Sequence, residues 1–206
     1  MSYSDEVINQ LIAKVDMLER QLASINTIDV ANNFCHIETQ SIASGSSAQY
    51  IDFTDIPDYY TDIRFMIYGY NTNVASRSLY AIFNNNTSAR YSYNYTGFVT
   101  STAATGVIVS GATSAEIGRF RGTGDLASIP SIVDFTIYDY ANPITKPIWI
   151  SKGSTWHTNA TVTYRHYTGV HYPADPYILN QVTFSVNNGS YYFNYPTVIS
   201  LYGVKI

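Results

Sequence analysis

The chain carries little charge. Charged residues make up 13% of its 206 residues, whereas ordinary soluble domains have roughly 25%. The net charge is −4, and no stretch is rich in Lys or Arg. Because a nucleic-acid-binding surface needs clustered positive charge, we expect no nucleic-acid partner.

Cysteines and long apolar runs are also scarce. Cys35 is the single cysteine, which excludes an intramolecular disulfide and argues against a cysteine-based metal cage. Residues Met1–Glu6 lack the basic segment of a secretory signal, and no apolar stretch follows them. No run approaches the roughly 18 apolar residues of a membrane span. We therefore expect a protein made in a cytoplasm, without insertion into a membrane.

Tyrosine, by contrast, is abundant, with 20 residues. Together with Thr, Val and Ile it favours half-buried, pleated strands. From Asn26 onward, Gly, Pro, Asn and Ser divide the chain into short apolar or alternating runs. The predicted strands are Gln49–Phe53, Ile63–Gly69, Ser78–Phe83, Arg90–Tyr95, Gly106–Ser110, Ala115–Phe120, Ile132–Tyr138, Ile148–Ser151, Thr161–Tyr167, Gln181–Val186, Tyr191–Tyr195 and Val198–Ile206. This pattern predicts an all-β, jelly-roll-like β-sandwich.

One strand and the turn after it have especially clear patterns. The run Gln181–Val186 alternates polar and apolar residues, which predicts a buried face made of Val182, Phe184 and Val186 and a solvated face opposite. The sequence "NNGS" at 187–190 then predicts a hairpin turn that brings the chain back.

Residues 7–25 differ from everything that follows, because they have the period of a helix. Apolar residues recur there at alternating intervals of three and four, which is the a/d seam of a heptad repeat. Ser4 supplies an N-cap, and Asp5 and Glu6 place acids in the first turn. The seam consists of Ile8, Leu11, Val15, Leu18, Leu22 and Ile25.

This short N-terminal helix has two interpretations. One is an amphipathic helix packed on its own domain. The other is a parallel coiled coil between copies of the chain, in which Ile25 at a d position favours three strands. So short a seam is marginal alone, so a trimer would also need contacts between β-domains. The chain thus divides into a heptad helix at 1–26, a connector and first strand at 27–48, and a β-sandwich domain at 49–206.

Three stretches carry a family resemblance by their order. They are "YIDFTDIPDYYTDIRFMIYG" at 50–69, "LYAIFNNNTSARYSYNY" at 79–95 and "ISLYGVKI" at 199–206. Together they resemble β-sandwich virion proteins of tailed bacteriophages, which serve as capsid decoration or cement proteins or as head and tail fibres. The resemblance covers residues 50–206 and implies a structural role, with the major capsid protein as the foremost partner. It implies no reaction and says little about attachment, because the heptad helix departs from members that lack one.

The same stretches contain residues with evident structural roles. The predicted core positions are Phe53, Ile63, Phe65 and Ile67, and Pro57 pre-sets the turn between Phe53 and the other three. Gly203 is expected to allow a bulge or a close approach near the chain end.

Candidate chemistry is sparse. His166 and His171 are close in sequence, but no carboxylate stands at ligand spacing before Asp175. Four aspartates surround one turn, where Asp is favoured in any case; they are Asp52, Asp55, Asp58 and Asp62. Because there is also no Gly-x-Ser-x-Gly elbow, we expect no catalytic residue, no bound metal and no cofactor.

Two further segments are interpreted primarily as structural. "GRFRGTG" at 118–124 predicts a turn, with Arg119 and Arg121 solvated or paired across a subunit contact. "TYRHYTGVHYP" at 163–173 has two interpretations, which are packing between sheets or subunits and recognition of a protein or sugar. Its candidate contact residues are Tyr164, Arg165, His166, Tyr167 and Tyr172. Strand parity places Tyr164 and His166 on one face, and Arg165 and Tyr167 on the other.

Two functions are therefore expected as alternatives. The first is a structural component of a bacteriophage virion, made in the host cytoplasm, that forms a homotrimer on the capsid or tail. The second is a fibre tip or lectin-like module that binds a glycan on the host surface. An enzyme is not expected.

Overall fold

Strands make up all the regular structure in the computed structural model, which describes residues 33–99, 102–123, 130–156, 162–173 and 177–205. The six seam residues of the predicted heptad helix lie outside these ranges. The strands are β1 (Phe34–Ser41), β2 (Ser47–Ala48), β3 (Tyr50–Phe53), β4 (Asp62–Asn71), β5 (Arg77–Phe83), β6 (Tyr91–Val99), β7 (Thr102–Ala112), β8 (Ala115–Phe120), β9 (Ser131–Tyr138), β10 (Ile148–Trp156), β11 (Val162–His171), β12 (Val182–Val186) and β13 (Phe193–Val204).

These strands form two sheets of unequal size. The small sheet has the order β3-β12-β5-β8, and the large sheet has the order β1-β13-β4-β9-β10-β11-β6-β7, with the short β2 pairing with β13. The central strands of the large sheet pair antiparallel along the path β4-β9-β10-β11-β6. The two sheets form a sandwich, so the predicted all-β sandwich is confirmed at this level. Strands β1 and β2 lie within the 27–48 segment.

An aromatic cluster fills the space between the sheets. Phe184 of the small sheet lies 4.9 Å from Phe65 and 6.2 Å from Phe135 of the large sheet, measured between ring centroids. Phe53 lies 5.3 Å from Phe65, and all four rings are buried. Aromatic pairs at such distances add roughly 0.5–1.5 kcal/mol beyond their area burial. The predicted core positions are confirmed, because the side chains of Phe53, Ile63, Phe65 and Ile67 are all buried.

The expectation of a solvated face on β12 is wrong. Thr183 and Ser185 are buried, as are the apolar residues between them. The reason is the position of β12 in the middle of the small sheet. Ser185 lies between its register partners Tyr50 and Tyr80, whose larger side chains flank it.

The "NNGS" turn is confirmed, but it does not join two strands of one sheet. Asn187, Asn188 and Gly189 all have positive φ, at 49°, 52° and 79°. Asn and Gly tolerate this left-handed region best. A single bridge between Val186 and Tyr191 closes the turn, after which the chain enters β13 of the large sheet.

Strand β13 replaces the two strands expected at 191–195 and 198–206. It runs without a break through Pro196, where the register with β4 shifts between Asn194 and Val198. Proline has no N–H to donate to the ladder. The hydroxyl of Thr197 bonds to β4 at this point, since it accepts from the Tyr70 N–H at 3.3 Å and lies 3.3 Å from the Tyr70 carbonyl oxygen, to which it can donate. The irregularity is thus a local shift within one strand.

The "LYG" motif near the chain end has the close approach expected of its glycine. A Cβ atom at Gly203 would overlap the ring of Tyr60, which is buried against it. The Nζ of Lys205 lies 5.5 Å from the ring centroids of both Tyr59 and Tyr60. The first and last stretches of the resemblance are therefore in contact with each other.

Replacing Phe184 with alanine should lower the free energy of unfolding by about 3–5 kcal/mol, because it removes a ring shared by both sheets. Urea unfolding at fixed protein concentration measures this. Val74→Ala, at an exposed loop position, is the control and should change stability by less than about 0.5 kcal/mol. A loss below about 1 kcal/mol for Phe184→Ala would contradict the assignment of this ring to the core.

Candidate functional site

The five candidate residues around strand β11 do not form one site. Arg165 and Tyr167 face the small sheet, whereas Tyr164 and His166 lie on the opposite face of β11, as strand parity predicts. Tyr172 follows the end of the strand and is partly exposed. The group therefore divides between packing inside the sandwich and an outer surface.

Glu116 ties edge strand β8 to β11 and accounts for the inward pair. Its Oε1 accepts hydrogen bonds from the Tyr167 hydroxyl at 3.0 Å, from Arg165 Nη1 at 3.4 Å and from Ser78 Oγ at 2.8 Å. The guanidinium carbon of Arg165 also lies 4.6 Å from the ring centroid of Tyr95. Burial, and next the nearby Glu116 charge, raises the pKa of Tyr167, which keeps its hydroxyl as a donor. Because buried charges persist only when paired, Arg165 and Tyr167 act in packing.

The two neighbouring histidines cannot share a ligand. They are five residues apart in one strand, so His166 faces outward and His171 faces inward. The buried His171 ring stacks on Tyr91 with a centroid distance of 4.3 Å, and the Tyr177 hydroxyl lies 2.5 Å from its Nδ1. Burial, and next the charge of Arg90, lowers the pKa of His171 to about 4. His171 is thus a neutral core histidine at pH 7.

The aspartate turn and the arginine segment have structural roles too. Asp62 Oδ1 accepts a hydrogen bond from the Asp139 N–H at 2.9 Å, and Asp52 Oδ1 accepts one from Thr183 Oγ1 at 2.5 Å. In the described residues, no three His, Cys, Asp or Glu side chains lie where they could hold one metal ion. Arg121 is fully buried with its guanidinium carbon 5.7 Å from the Tyr70 ring centroid, so the expectation that it is solvated is wrong.

The outer face of the large sheet is the most distinctive described surface. No strand of the small sheet covers it, and its charged groups lie near its middle. Arg64 and Asp134 form a two-pronged ion pair there, with nitrogen–oxygen distances of 2.7 and 2.6 Å. Lys152 is the register partner of Asp134 on the next strand. A partly exposed pair like this adds at most about 1 kcal/mol, so it largely neutralises charge.

An apolar row crosses this face on one side of the charged centre. Tyr68 of β4 is the register partner of Ile132 of β9, and Met66 lies two positions from Tyr68. All three are exposed, Ile132 at 49%. The row continues through Ser154 to Tyr164, which is also exposed. We call Met66, Tyr68 and Ile132 the β4–β9 patch.

A groove lies on the other side of the charged centre, toward edge strand β7. It has a volume of about 490 Å³, and none of the described residues that line it is charged. Its exposed residues include Ile108 at 86% and Ile148 at 55%. Val170 and Tyr172 also line it, and Ile148 and Val170 are register partners. We call these four residues the β7 groove.

Sequence reasoning found Tyr164 and Tyr172 but missed the isoleucines and Met66 of the outer face. Their strands were predicted, and alternation alone marks Ile132 and Ile148 as facing opposite to Val133 and Trp149. What the sequence does not show is that β4, β9, β10 and β11 are neighbours in one sheet. Apolar residues from separate strands therefore meet without any local signal.

Comparisons with known proteins give no family for this chain. A scan against protein-family models finds no match, and a search of curated proteins finds no similar sequence. The likeness to phage virion proteins therefore rests on the three sequence stretches alone. No helix in the described ranges has the length and apolar character needed to cross a membrane.

The protein should lose stability as the pH falls from about 6.5 toward 4, in part because His171 is buried. The pKa of His171 is about 4 in the folded protein and 6.5 in the unfolded chain, so the unfolded chain takes up the proton first as the pH falls. The contribution of His171 to the free energy of unfolding is fully present above the unfolded-state pKa. It declines below that pKa, by about 2 kcal/mol at pH 5.

Urea unfolding at pH 7 and pH 5 measures this loss. His171→Gln should remove most of the His171 contribution, whereas His36→Gln, at an exposed position, should keep the wild-type difference. If His171→Gln and the wild type lose the same free energy between the two pH values, His171 does not carry the effect.

Proposed function

We propose that this protein is a homotrimeric structural component of a tailed-bacteriophage virion, a capsid decoration, cement or fibre protein held on the particle surface. It is made in the host cytoplasm, and its foremost partner on the particle is the major capsid protein. The observation that carries the proposal is the outer face of the large sheet, which offers two uncharged apolar surfaces for packing. No reaction and no cofactor are part of this function.

The outer face suits packing against other protein surfaces for a physical reason. Desolvating an unpaired charge opposes association, and the cores of interfaces are accordingly depleted in charge and enriched in Tyr and Met. The β4–β9 patch and the β7 groove carry Tyr, Met, Ile and Val and no charged residue. The central Arg64 and Asp134 already neutralise each other at 2.6 Å.

The strand order supports a jelly-roll arrangement for the sandwich. The first strand of the roll, β3, pairs with its last strand, β12, in the small sheet. The chain crosses from one sheet to the other between β3 and β4, between β4 and β5, and between β5 and β6. In the large sheet, β4 neighbours β9 and β6 neighbours β7. The hairpin β10–β11 is then an insertion between β9 and β6, and β13 extends the sheet beyond β4. Double-sheet jelly rolls are common in viral capsid proteins.

The predicted heptad helix supports the proposal of a trimer. A seam with Ile25 at a d position favours three strands, and its shortness requires additional contacts between the β-domains. The outer face of the large sheet can supply them. In this arrangement the helices gather three chains and the sandwiches complete the assembly.

A second function, binding of a host-surface glycan, is favoured by polar side chains that line the same cavity as the four β7-groove residues. Thr168 Oγ1 donates to Asn94 Oδ1 at 2.6 Å, which leaves the amide N–H groups of Asn94 for a ligand. Tyr172 adds a ring with an apolar face, and Lys146 Nζ lies 4.3 Å from its centroid. Glycan binding would become the favoured function if the protein binds host cells, free sugar inhibits this binding and Tyr172→Ala weakens it.

Replacing Leu18 with aspartate should shift the protein from trimer toward monomer at micromolar concentration, because each chain would place an unpaired charge in the seam. Light scattering gives the mass, and circular dichroism should keep its β-rich shape. Met17→Asp, outside the seam, is the matched control and should leave the trimer intact. A wild-type protein that is monomeric at this concentration would contradict the trimer.

Deleting residues 1–25 should abolish rebinding to phage particles that lack the protein, if the heptad helix is the anchor. Sedimentation of particles with bound protein measures this, and full-length protein provides the reference. If the truncated protein rebinds at full strength, the β-sandwich itself binds the capsid and the heptad helix is not the anchor.

A further inference from the structure

Edge strand β7 has neither charged residues nor proline to protect it, although its register with β6 shifts toward both ends, between Tyr91 and Tyr93 and between Gly97 and Val99. An exposed edge presents unpaired N–H and C=O groups, and soluble proteins protect such edges with charged residues, proline, short strands or a covering element. Strand β7 has 11 residues. Its sequence, "TAATGVIVSGA", contains no charged residue and no proline. Among the described residues, β7 pairs with β6 only and is the last strand of the large sheet.

The opposite edge of the same sheet provides an internal comparison. Strand β1 ends the sheet on the other side, and its eight residues include His36, Glu38 and Gln40. This edge therefore carries polar and charged groups of the kind that discourage pairing. The two edges of the large sheet therefore differ, since β1 carries polar and charged side chains and β7 carries no charged one.

Ile108 places an exposed apolar side chain on β7. Its side chain is 86% exposed, the largest exposure of any apolar residue in the β7 groove. It is the register partner of Asn94, which in turn pairs with Thr168, so it lies on the outer face beside the groove. With Ile148 and Val170 it forms an apolar surface that continues to the unpaired edge.

We propose that a second copy of this chain docks on the β7 edge and the β7 groove, and that its β4–β9 patch provides the opposing surface. This inference rests on the proposed homotrimer and names its interface. A closed ring of three needs two different patches on each chain, one for each neighbour. The large sheet offers two such patches on one face, on either side of the Arg64–Asp134 pair.

The lengths of the chain segments agree with this partner. From Ile25 at the end of the heptad seam to the first described residue, Asn33, is eight Cα steps, which span at most about 28 Å. The compact unit His36–Lys205 has the size of a domain about 40 Å across, since its radius of gyration should be near 15 Å. In the proposed trimer, a linker of this length keeps the three β-domains within reach of one another. Neither patch contains a charged residue, and the charges beside them are Asp134, the register partner of Met66, and Lys146, whose Nζ lies 4.3 Å from the ring centroid of Tyr172.

The test compares two isoleucines of nearly equal exposure. Ile108 is 86% exposed in the groove, and Ile144 is 89% exposed in the loop between β9 and β10. Ile108→Asp should raise the dissociation constant of the trimer at least about tenfold, because docking would desolvate the new carboxylate. Ile144→Asp should leave it unchanged. Sedimentation velocity over a dilution series measures both, and circular dichroism checks folding.

A second variant reports on the opposing surface. Ile132→Asp, in the β4–β9 patch, should weaken the trimer as Ile108→Asp does, and the double variant should add little, since both act on one contact. A trimer with unchanged dissociation in both single variants would overturn this inference while the homotrimer stands.

Other occupants of the groove give distinguishable results. If Ile108→Asp lowers the unfolding midpoint independently of protein concentration and leaves dissociation unchanged, the chain's own N-terminal segment covers the groove, and a second copy does not. If it weakens only rebinding to particles, the occupant is another virion protein. Either result overturns the inference, whereas a wild-type monomer would overturn the proposed function itself.

Discussion

Eight strands of the large sheet lie side by side, but the sheet that packs on them has only four strands. The rest of the structure depends on this difference in sheet size. The small sheet covers the inner face, where Phe65 and Phe135 meet Phe184. It cannot cover the outer face or the β7 edge. Apolar side chains such as Ile132 and Ile108 therefore stay exposed unless another protein surface packs on them. Burying such area is the main favourable term in association.

Charge placement is consistent with that constraint. Inside the sandwich, Glu116 is held by Tyr167, Arg165 and Ser78, so a buried carboxylate is stabilised rather than left unpaired. On the outer face, Arg64 and Asp134 are paired with each other. A chain with only 13% charged residues can thus present large neutral surfaces between these few ionic contacts. The same low charge that argued against a nucleic-acid partner favours protein–protein packing.

The sequence predicted most strands and their inward residues, because alternation and turn residues are local signals. Phe53 and Phe65 were assigned to the core correctly, and the parity of β11 separated Tyr167 from Tyr164. Thr183 was misassigned, because burial of a small polar residue depends on its neighbours in the sheet. The outer face was missed for the same reason. Ile108 and Ile148 are 40 residues apart in the chain, and only the strand order brings them to one groove.

Copies of this chain are proposed to pack through the outer faces of their large sheets. A cryo-electron microscopy reconstruction of the purified full-length protein tests this packing most directly. We expect three chains around one axis, with strand β7 of each chain against the large sheet of its neighbour and the N-terminal segments together at the axis. Single chains, or a trimer in which the outer faces and the β7 edges are in solvent, would contradict it.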